Sequence, residues 1–485
     1  MTDYLLNVPF QISGEWYLPE NPDRRIHGIL SYSVEHTKLQ LEESFYPIDG
    51  LLGSTNTLKT YPVIHGISSE GDAMTLLDAQ QTAFSLNFRS GGIKNKETVI
   101  SSLLLIGAKI PADNSFKEMN FRLPGLQAWL CIPVIKESMD NDPSTSNRVL
   151  TFRVNPISEQ SIRIRSINAN VDWFSSWHSS HNPFKSIDFS VSAWVTFRPD
   201  EPQKIAWYFD QLDKLTTMLS FLAGTPMAPD CIETPFGESH KRVYMMATLY
   251  DVKYCSFDSP HEFFMPRAAI GIELSHVINR WYEVSTKVYA PSQLARSVLS
   301  SETLWLHVEF LSIMHALEGF HRALYDGNYM TKEEYEAPRK TLGDAIPSSL
   351  LPDHKAALKS RIKYGYQYSL RKRLDKLANS LPEKIRKKIL GKEGDISQSW
   401  IDTRNYYTHW DEDDESRKNV LDGQEMYDAL VRMRIFLQVL YLQLMGVEEK
   451  AILNAFGNAS RASQRLVRVN AGEKERKNVE QKSET

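Results

Sequence analysis

Cysteine is nearly missing from this 485-residue sequence: Cys131, Cys231 and Cys255 are scattered, odd in number and form no Cys-x-x-Cys pair. That argues against a disulfide framework and a thiolate zinc centre, and it suits a reducing compartment where three lone thiols act as small hydrophobes. Long apolar runs are missing as well. No window reaches the roughly 18–20 apolar residues of a membrane span. Met1-Thr2-Asp3 opens acidic, unlike a signal peptide. The expectation is a cytoplasmic protein that does not contact a membrane. The sequence has no GxxxxGK[ST], no GxGxxG opening a helix, no GxSxG and no HExxH, which weakens nucleotide-hydrolase, dehydrogenase, esterase and zinc-protease readings. No cofactor is expected, and no metal. His178 and His181 have no Cys or Glu nearby to complete a ligand set, and the consecutive carboxylates Asp411 to Glu415 cannot all converge on one ion.

What is present falls into two textures. With 42% hydrophobic and 24% charged residues, a chain of this length builds more than one core. Up to about Phe197, period-two alternation recurs at residues 28–34, 38–41, 82–88 and 188–197, broken by clusters such as Pro19 to Asp23 and Ser90-Gly-Gly92. Many short strands without intervening helices predict an antiparallel sandwich or barrel-like region. Residues 205–222 read as a helix stopped by Gly224 and Pro226. From about Ala269 the period turns helical. Leu304, Val308, Leu311, Met314 and Leu317 define one long helix, and Met426, Leu430, Met433, Leu437, Leu440 and Leu444 another with one bundle-facing stripe. The reading is therefore α+β: a β-rich N-terminal domain with terminal helices over 1–298, an all-α bundle over 299–457, and a disordered tail over 458–485.

Charge is distributed unevenly. The chain carries −4, yet between His354 and Lys392 thirteen Lys and Arg face only Asp375 and Glu383, a local +11. Tyr364, Tyr366 and Tyr368 interleave with these cations. Cations that neutralise phosphates gain affinity by counterion release, and exposed rings stack unpaired bases, so RNA is the expected partner. Lys363, Arg371, Arg373, Lys376, Tyr364 and Tyr366 are the candidate contacts. A solvated helical face is the plain alternative.

Arg404-Asn405-Tyr406-Tyr407-Thr408-His409 supplies what metal-free RNA cleavage needs. A histidine moves protons to or from the ribose 2′-OH and the leaving 5′-oxygen, and a forked arginine takes the charge that develops on the phosphate. Spacing alone is weak evidence; context carries the reading. The stretch resembles the R-N-x-x-x-H form of the signature of HEPN ribonucleases. Upstream, Ala316-Leu-Glu318-Gly-Phe-His321-Arg322 resembles the acidic-residue helix preceding that signature, and Tyr368 to Leu377 the arginine-bearing middle helix. The block order, after a strand-rich region, resembles ApeA-type proteins.

The resemblance implies catalytic roles for Arg404 and His409, a polar helper in Asn405, and Glu318 as the acid that pairs with the arginine. It further implies a homodimer whose two motifs share one cleft, a metal-independent endoribonuclease of an abortive-infection system against phage, and cellular RNA such as tRNA as target. The N-terminal region would sense a phage-derived trigger and restrain the nuclease. Trp410 and the acidic run after it depart from the family pattern and put the RNA approach in question. The rival reading is a non-catalytic HEPN-like module for RNA binding or dimerisation.

Overall fold

The computed structural model describes residues 4–46, 58–89, 92–133, 135–141, 148–155, 160–182, 184–238, 240–248, 255, 257–300, 304–409, 419–457 and 460–483. The chain divides into two compact units: residues 1–216 with 226–260, and residues 217–225 with 261–485.

The first unit is built from β1 (Phe10–Leu18), β2 (Asn21–Tyr32), β3 (Thr37–Leu41), β4 (Thr60–Ser68), β5 (Ala73–Arg89), β6 (Gly92–Ser101), β7 (Leu103–Ile106), β8 (Met119–Arg122) and the short α1 (Leu126–Leu130). It continues with β9 (Ile135–Asn141), β10 (Arg148–Val154), β11 (Gln160–Ile164), β12 (Ala169–Asn182), β13 (Ser186–Pro199), β14 (Cys231–Phe236) and β15 (Lys241–Ala247). Thirteen strands form one antiparallel sheet in the order β11-β12-β13-β8-β14-β15-β7-β5-β4-β1-β2-β3-β6, and β9 pairs with β10 apart from it. The long β5 closes part of that sheet. One edge pairs with β4, while the other takes β7 along Met74–Leu77 and β6 from Gln80 onward, with a register shift between Gln81 and Ala83. Because β6 also holds β3, six strands return on themselves, and closure removes exposed edges. The antiparallel pairing is as expected, and barrel-like closure describes it better than a sandwich.

Apolar side chains fill the unit, with Trp16, Leu30, Leu39, Ile64, Met74 and Val99 fully buried. Glu97 is buried among them and accepts from Ser44 Oγ (2.8 Å), Phe45 N (3.2 Å), Gln81 Nε2 (3.0 Å) and Tyr61 Oη (2.5 Å). Four donors satisfy a carboxylate that burial would otherwise penalise.

The helix α2 (Ile205–Ala223) follows β13, and its last residues belong to the second unit. Gly224, at φ 73°, takes the left-handed conformation that ends it, donating its amide to Ser220 O at 2.9 Å. The second unit then comprises α3 (Leu274–Val284), α4 (Tyr289–Ser300), α5 (Leu306–Leu324), α6 (Lys332–Asp344), α7 (Pro352–Ile362), α8 (Leu370–Ser380) and α9 (Glu383–Leu390). It ends with α10 (Gln398–His409), α11 (Gly423–Leu444), α12 (Glu449–Ala455) and α13 (Arg461–Ser483). The outline is α+β, a β-rich region followed by a helical one.

Three expectations need revision. The helix α11 is buried on nearly every side, including Val431, Ile435, Phe436, Val439 and Tyr441, so it is the centre of its unit and not a one-faced bundle member. Phe221 stacks on Tyr441 at 3.9 Å, and Phe320 meets the same ring edge-on at 5.0 Å. Next, α3 and α4 group with the helical unit, residues 217–225 with 261–485, and not with the β-rich domain expected to run to 298. Trp281 of α3 packs 6.2 Å from Tyr441 and Pro291 of α4 lies close to Gly319, contacts that join them to α11 and α5. Finally, the expected disordered tail is helical. Leu466 and Val469 are buried, and Glu473 holds Arg432 of α11 through both carboxylate oxygens at 3.2 and 2.8 Å.

Candidate functional site

The helix α10 turns Trp400, Ile401 and Thr403 inward, and its seat is fixed at several points. Thr403 Oγ1 accepts the amide of Leu421 at 2.8 Å, tying the returning chain to the middle of the helix. Gln398 at its start accepts from Arg371 of α8 at 3.0 Å. Near its end the Tyr407 ring stacks on His307 of α5 at 5.5 Å.

This rigid seat carries the sequence-predicted residues. Arg404 is partly buried. Its Nη1 donates to Asn405 Oδ1 at 3.2 Å, and its Nε, shielded from solvent, has no acceptor among the described residues. A cation with donors left over in a sheltered place is suited to an incoming oxyanion. His409, the last residue of the helix, is exposed. Five positions separate it from Arg404, which on an α-helix means about 7.5 Å of rise and about 140° of rotation. The two side chains of one chain therefore leave the helix in different directions, a geometry that suits a cleft assembled from two copies. Trp410 and the acidic run that follows lie outside the described residues.

Glu318 has a different partner from the one expected. Its carboxylate holds Arg322, one turn further along α5, at 2.9 Å. Its field also acts on His321 and Arg373, favouring their charged forms. Arg373 itself requires correction as an RNA contact: it is 2% exposed and cannot reach solvent. Its guanidinium donates to Gly327 O at 3.2 Å and lies 3.3 Å from Nδ1 of the fully buried His321. Gly327 is required there, because a Cβ on it would collide with Arg373 Nη1. Burial first, then the charges of Arg373 and Arg322, holds the His321 imidazole down to about 4, so at neutral pH it is uncharged beside the arginine. Arg373 is thus a cross-brace between α8, the end of α5 and the chain after it.

The other basic candidates divide. Lys363 and Tyr364 are exposed, with the ammonium 5.3 Å from the ring, and Lys376 is exposed too. Tyr366 is half-buried against Tyr335. Arg371 pairs with Asp375 at 3.1 Å while reaching Gln398. His178 and His181 are exposed on β12 opposite Ser190 and Ile187, and their odd spacing puts them on opposite faces of the strand. Among the described residues no group of three His, Cys, Asp or Glu could hold a metal, and no helix is long and apolar enough to cross a membrane.

The helical unit presents the Arg404–His409 helix and follows the β-rich unit in sequence, as the HEPN resemblance implies. Two family models agree: ApeA N-terminal domain 1 over residues 11–281 and Apea-like HEPN over residues 311–451. The chain belongs to the ApeA family with a C-terminal HEPN domain, which makes it an anti-phage protein of the HEPN ribonuclease class. No curated protein and no solved structure matches it.

Proposed function

We propose that the protein is a metal-independent endoribonuclease of abortive infection that acts on cellular RNA, tRNA being one target to test. The observation that carries this reading is Arg404, whose shielded Nε has no acceptor among the described residues, on the same firmly seated helix as an exposed histidine. In the proposed reaction an imidazole takes the proton from a ribose 2′-OH, the 2′-oxygen attacks the neighbouring phosphorus, and the bond to the 5′-oxygen breaks as that oxygen is protonated. The products are a 2′,3′-cyclic phosphate and a 5′-hydroxyl. Arg404 neutralises the phosphoryl oxygens, and Asn405 orients its guanidinium. Two copies would place His409 of one beside Arg404 of the other, as the 140° offset favours. The exposed Lys363, Tyr364 and Lys376 would draw the RNA backbone in. The β-rich unit would respond to a phage-derived trigger and restrain the nuclease.

The test is cleavage of total cellular RNA by purified protein in EDTA, wild type beside His409→Ala and Arg404→Ala. Discrete fragments from wild type alone, ending in cyclic phosphate, support the reaction. Cleavage that EDTA abolishes overturns the mechanism. If no protein cuts RNA, even with infected-cell extract added, the non-catalytic RNA-binding or dimerisation module takes its place.

A further inference from the structure

The end of α10 that carries His409 meets the start of α5, and there the rings form a file. Tyr407 stacks on His307 with the planes 15° apart, and His307 is followed by Trp305 at 6.4 Å and 37°. Tyr406 meets Tyr407 edge-on at 5.2 Å. The outermost ring is open, as Trp177 on β12 also is at 58% exposure. Trp16, Trp129, Trp173 and Trp281 are exposed by 1% or less, whereas Trp305 is 76% exposed at the N-cap of α5, where its side chain makes no capping hydrogen bond. An indole so placed adds little to the core, and its open π-face lies at the end of a file that leads to the Arg404 helix.

We propose that Trp305, backed by His307 and Tyr407, is a stacking shelf for one unpaired nucleobase of the RNA whose phosphate reaches Arg404. The inference rests on the RNA-cleavage reading and narrows its substrate to single-stranded segments. Tyr407 stands three residues after Arg404, one helical turn away on the same side, at about 4.5 Å along the axis. Trp305 stands two further ring steps out, at 5.5 and 6.4 Å, so a base on it belongs to a nucleotide a few steps along the strand from the phosphate on Arg404. Arg404 and the +11 segment of the same unit supply the cations that such a strand requires, while the carboxylate of Asp422 also acts on Tyr407. Stacking on an aromatic face accepts any base but requires that the base be free of a duplex. The shelf therefore selects strandedness rather than sequence.

The experiment uses full-length protein and a fluorescent mixed-sequence oligoribonucleotide, alone or annealed to its complement. In a His409→Ala background, which leaves the strand intact, adding Trp305→Ala is expected to weaken single-strand binding by roughly 5- to 100-fold, the range for loss of one stacked base. Duplex binding should change far less, and Trp305→Phe should restore most of the affinity. In the active protein Trp305→Ala should raise KM by more than it lowers kcat. Equal binding by both proteins overturns the shelf. So does an equal loss for single strand and duplex together with a shift from dimer to monomer in light scattering, because Trp305 is then a subunit contact. If wild type cuts no RNA while binding still depends on Trp305, the catalytic reading falls and the shelf stands. If wild type cuts RNA and Trp305→Ala leaves KM unmoved, the shelf alone falls.

Discussion

The helical unit contains two arginines expected to meet RNA, Arg404 as a catalytic group and Arg373 as a backbone contact, and the fold treats them in different ways. Arg373 is sealed against His321 and Gly327, two of its nitrogens holding α8 on α5. Arg404 sits on α10 with Asn405 beside it, and among the described residues the Nε of each arginine has no acceptor. Arg373 lies against His321, which is buried and neutral, while Arg404 shares its helix with His409, which is exposed at the helix end. Residue type is therefore no guide to role here. What separates a brace from a candidate catalytic group here is access: Arg373 is 2% exposed, whereas Arg404 is only partly buried.

The sharpest way to break this contrast is to remove each arginine in turn. His409→Ala and Arg404→Ala should each lower RNA cleavage by roughly 10²- to 10⁴-fold, with the urea midpoint unchanged. Initial rates on a purified RNA and an unfolding curve check both halves of that statement. Arg373→Ala should do the reverse. It leaves His321 Nδ1 buried without its partner and Gly327 O with the Tyr368 amide alone, at a cost of about 2 kcal/mol, and so lowers the midpoint clearly. If Arg373→Ala kept its midpoint but lost activity, the brace assignment would be wrong.

Acid sharpens the comparison further. His321 is held down to about 4 in the folded chain, against about 6.5 for an unperturbed histidine. Between those values the unfolded state binds the additional proton, so stability rises with pH across that window. The contribution is fully present above about pH 6.5 and is lost as pH falls toward 4, amounting to roughly 2–3 kcal/mol. Unfolding curves of wild type and His321→Gln at several pH values should differ in slope between pH 4 and 6.5. Parallel curves would remove the imidazole from the account.

Much of this was legible in advance, and the exceptions have physical reasons. The helix α10, Gln398–His409, is declared locally by Trp400, Ile401 and the polar side opposite. The β texture was legible for the same reason, whereas closure through β5 depends on pairing with β4, β6 and β7 from distant parts of the chain, which alternation alone does not encode. The burial of Arg373 left a signal that counting cations missed: Leu370, Arg373, Leu374 and Leu377 share one helical stripe, so position 373 points inward. His321 likewise continues the stripe of Phe310, Met314 and Leu317. The helix α13 was missed because its attachment relies on few apolar residues and on ion pairs, Glu473 with Arg432 and Arg476 with Asp428, which resemble solvated charge when read along the chain.

The finest distinction concerns Glu318, which the family resemblance pairs with Arg404 and the fold pairs with Arg322. Its interaction with Arg322 is a half-exposed i,i+4 pair, a class that contributes only a few tenths of a kcal/mol, so Glu318→Gln should shift the unfolding midpoint barely. Its larger influence runs through His321 and Arg373, whose charged forms it favours. Neutralising it should move the acid transition of His321 slightly lower, and leave cleavage within about threefold of wild type. A titration of the His321 ring followed by NMR, beside initial rates, reads both effects on one variant. A loss of cleavage comparable with that of Arg404→Ala, with the His321 titration unmoved, would transfer Glu318 from the brace to the α10 site and restore its pairing with Arg404.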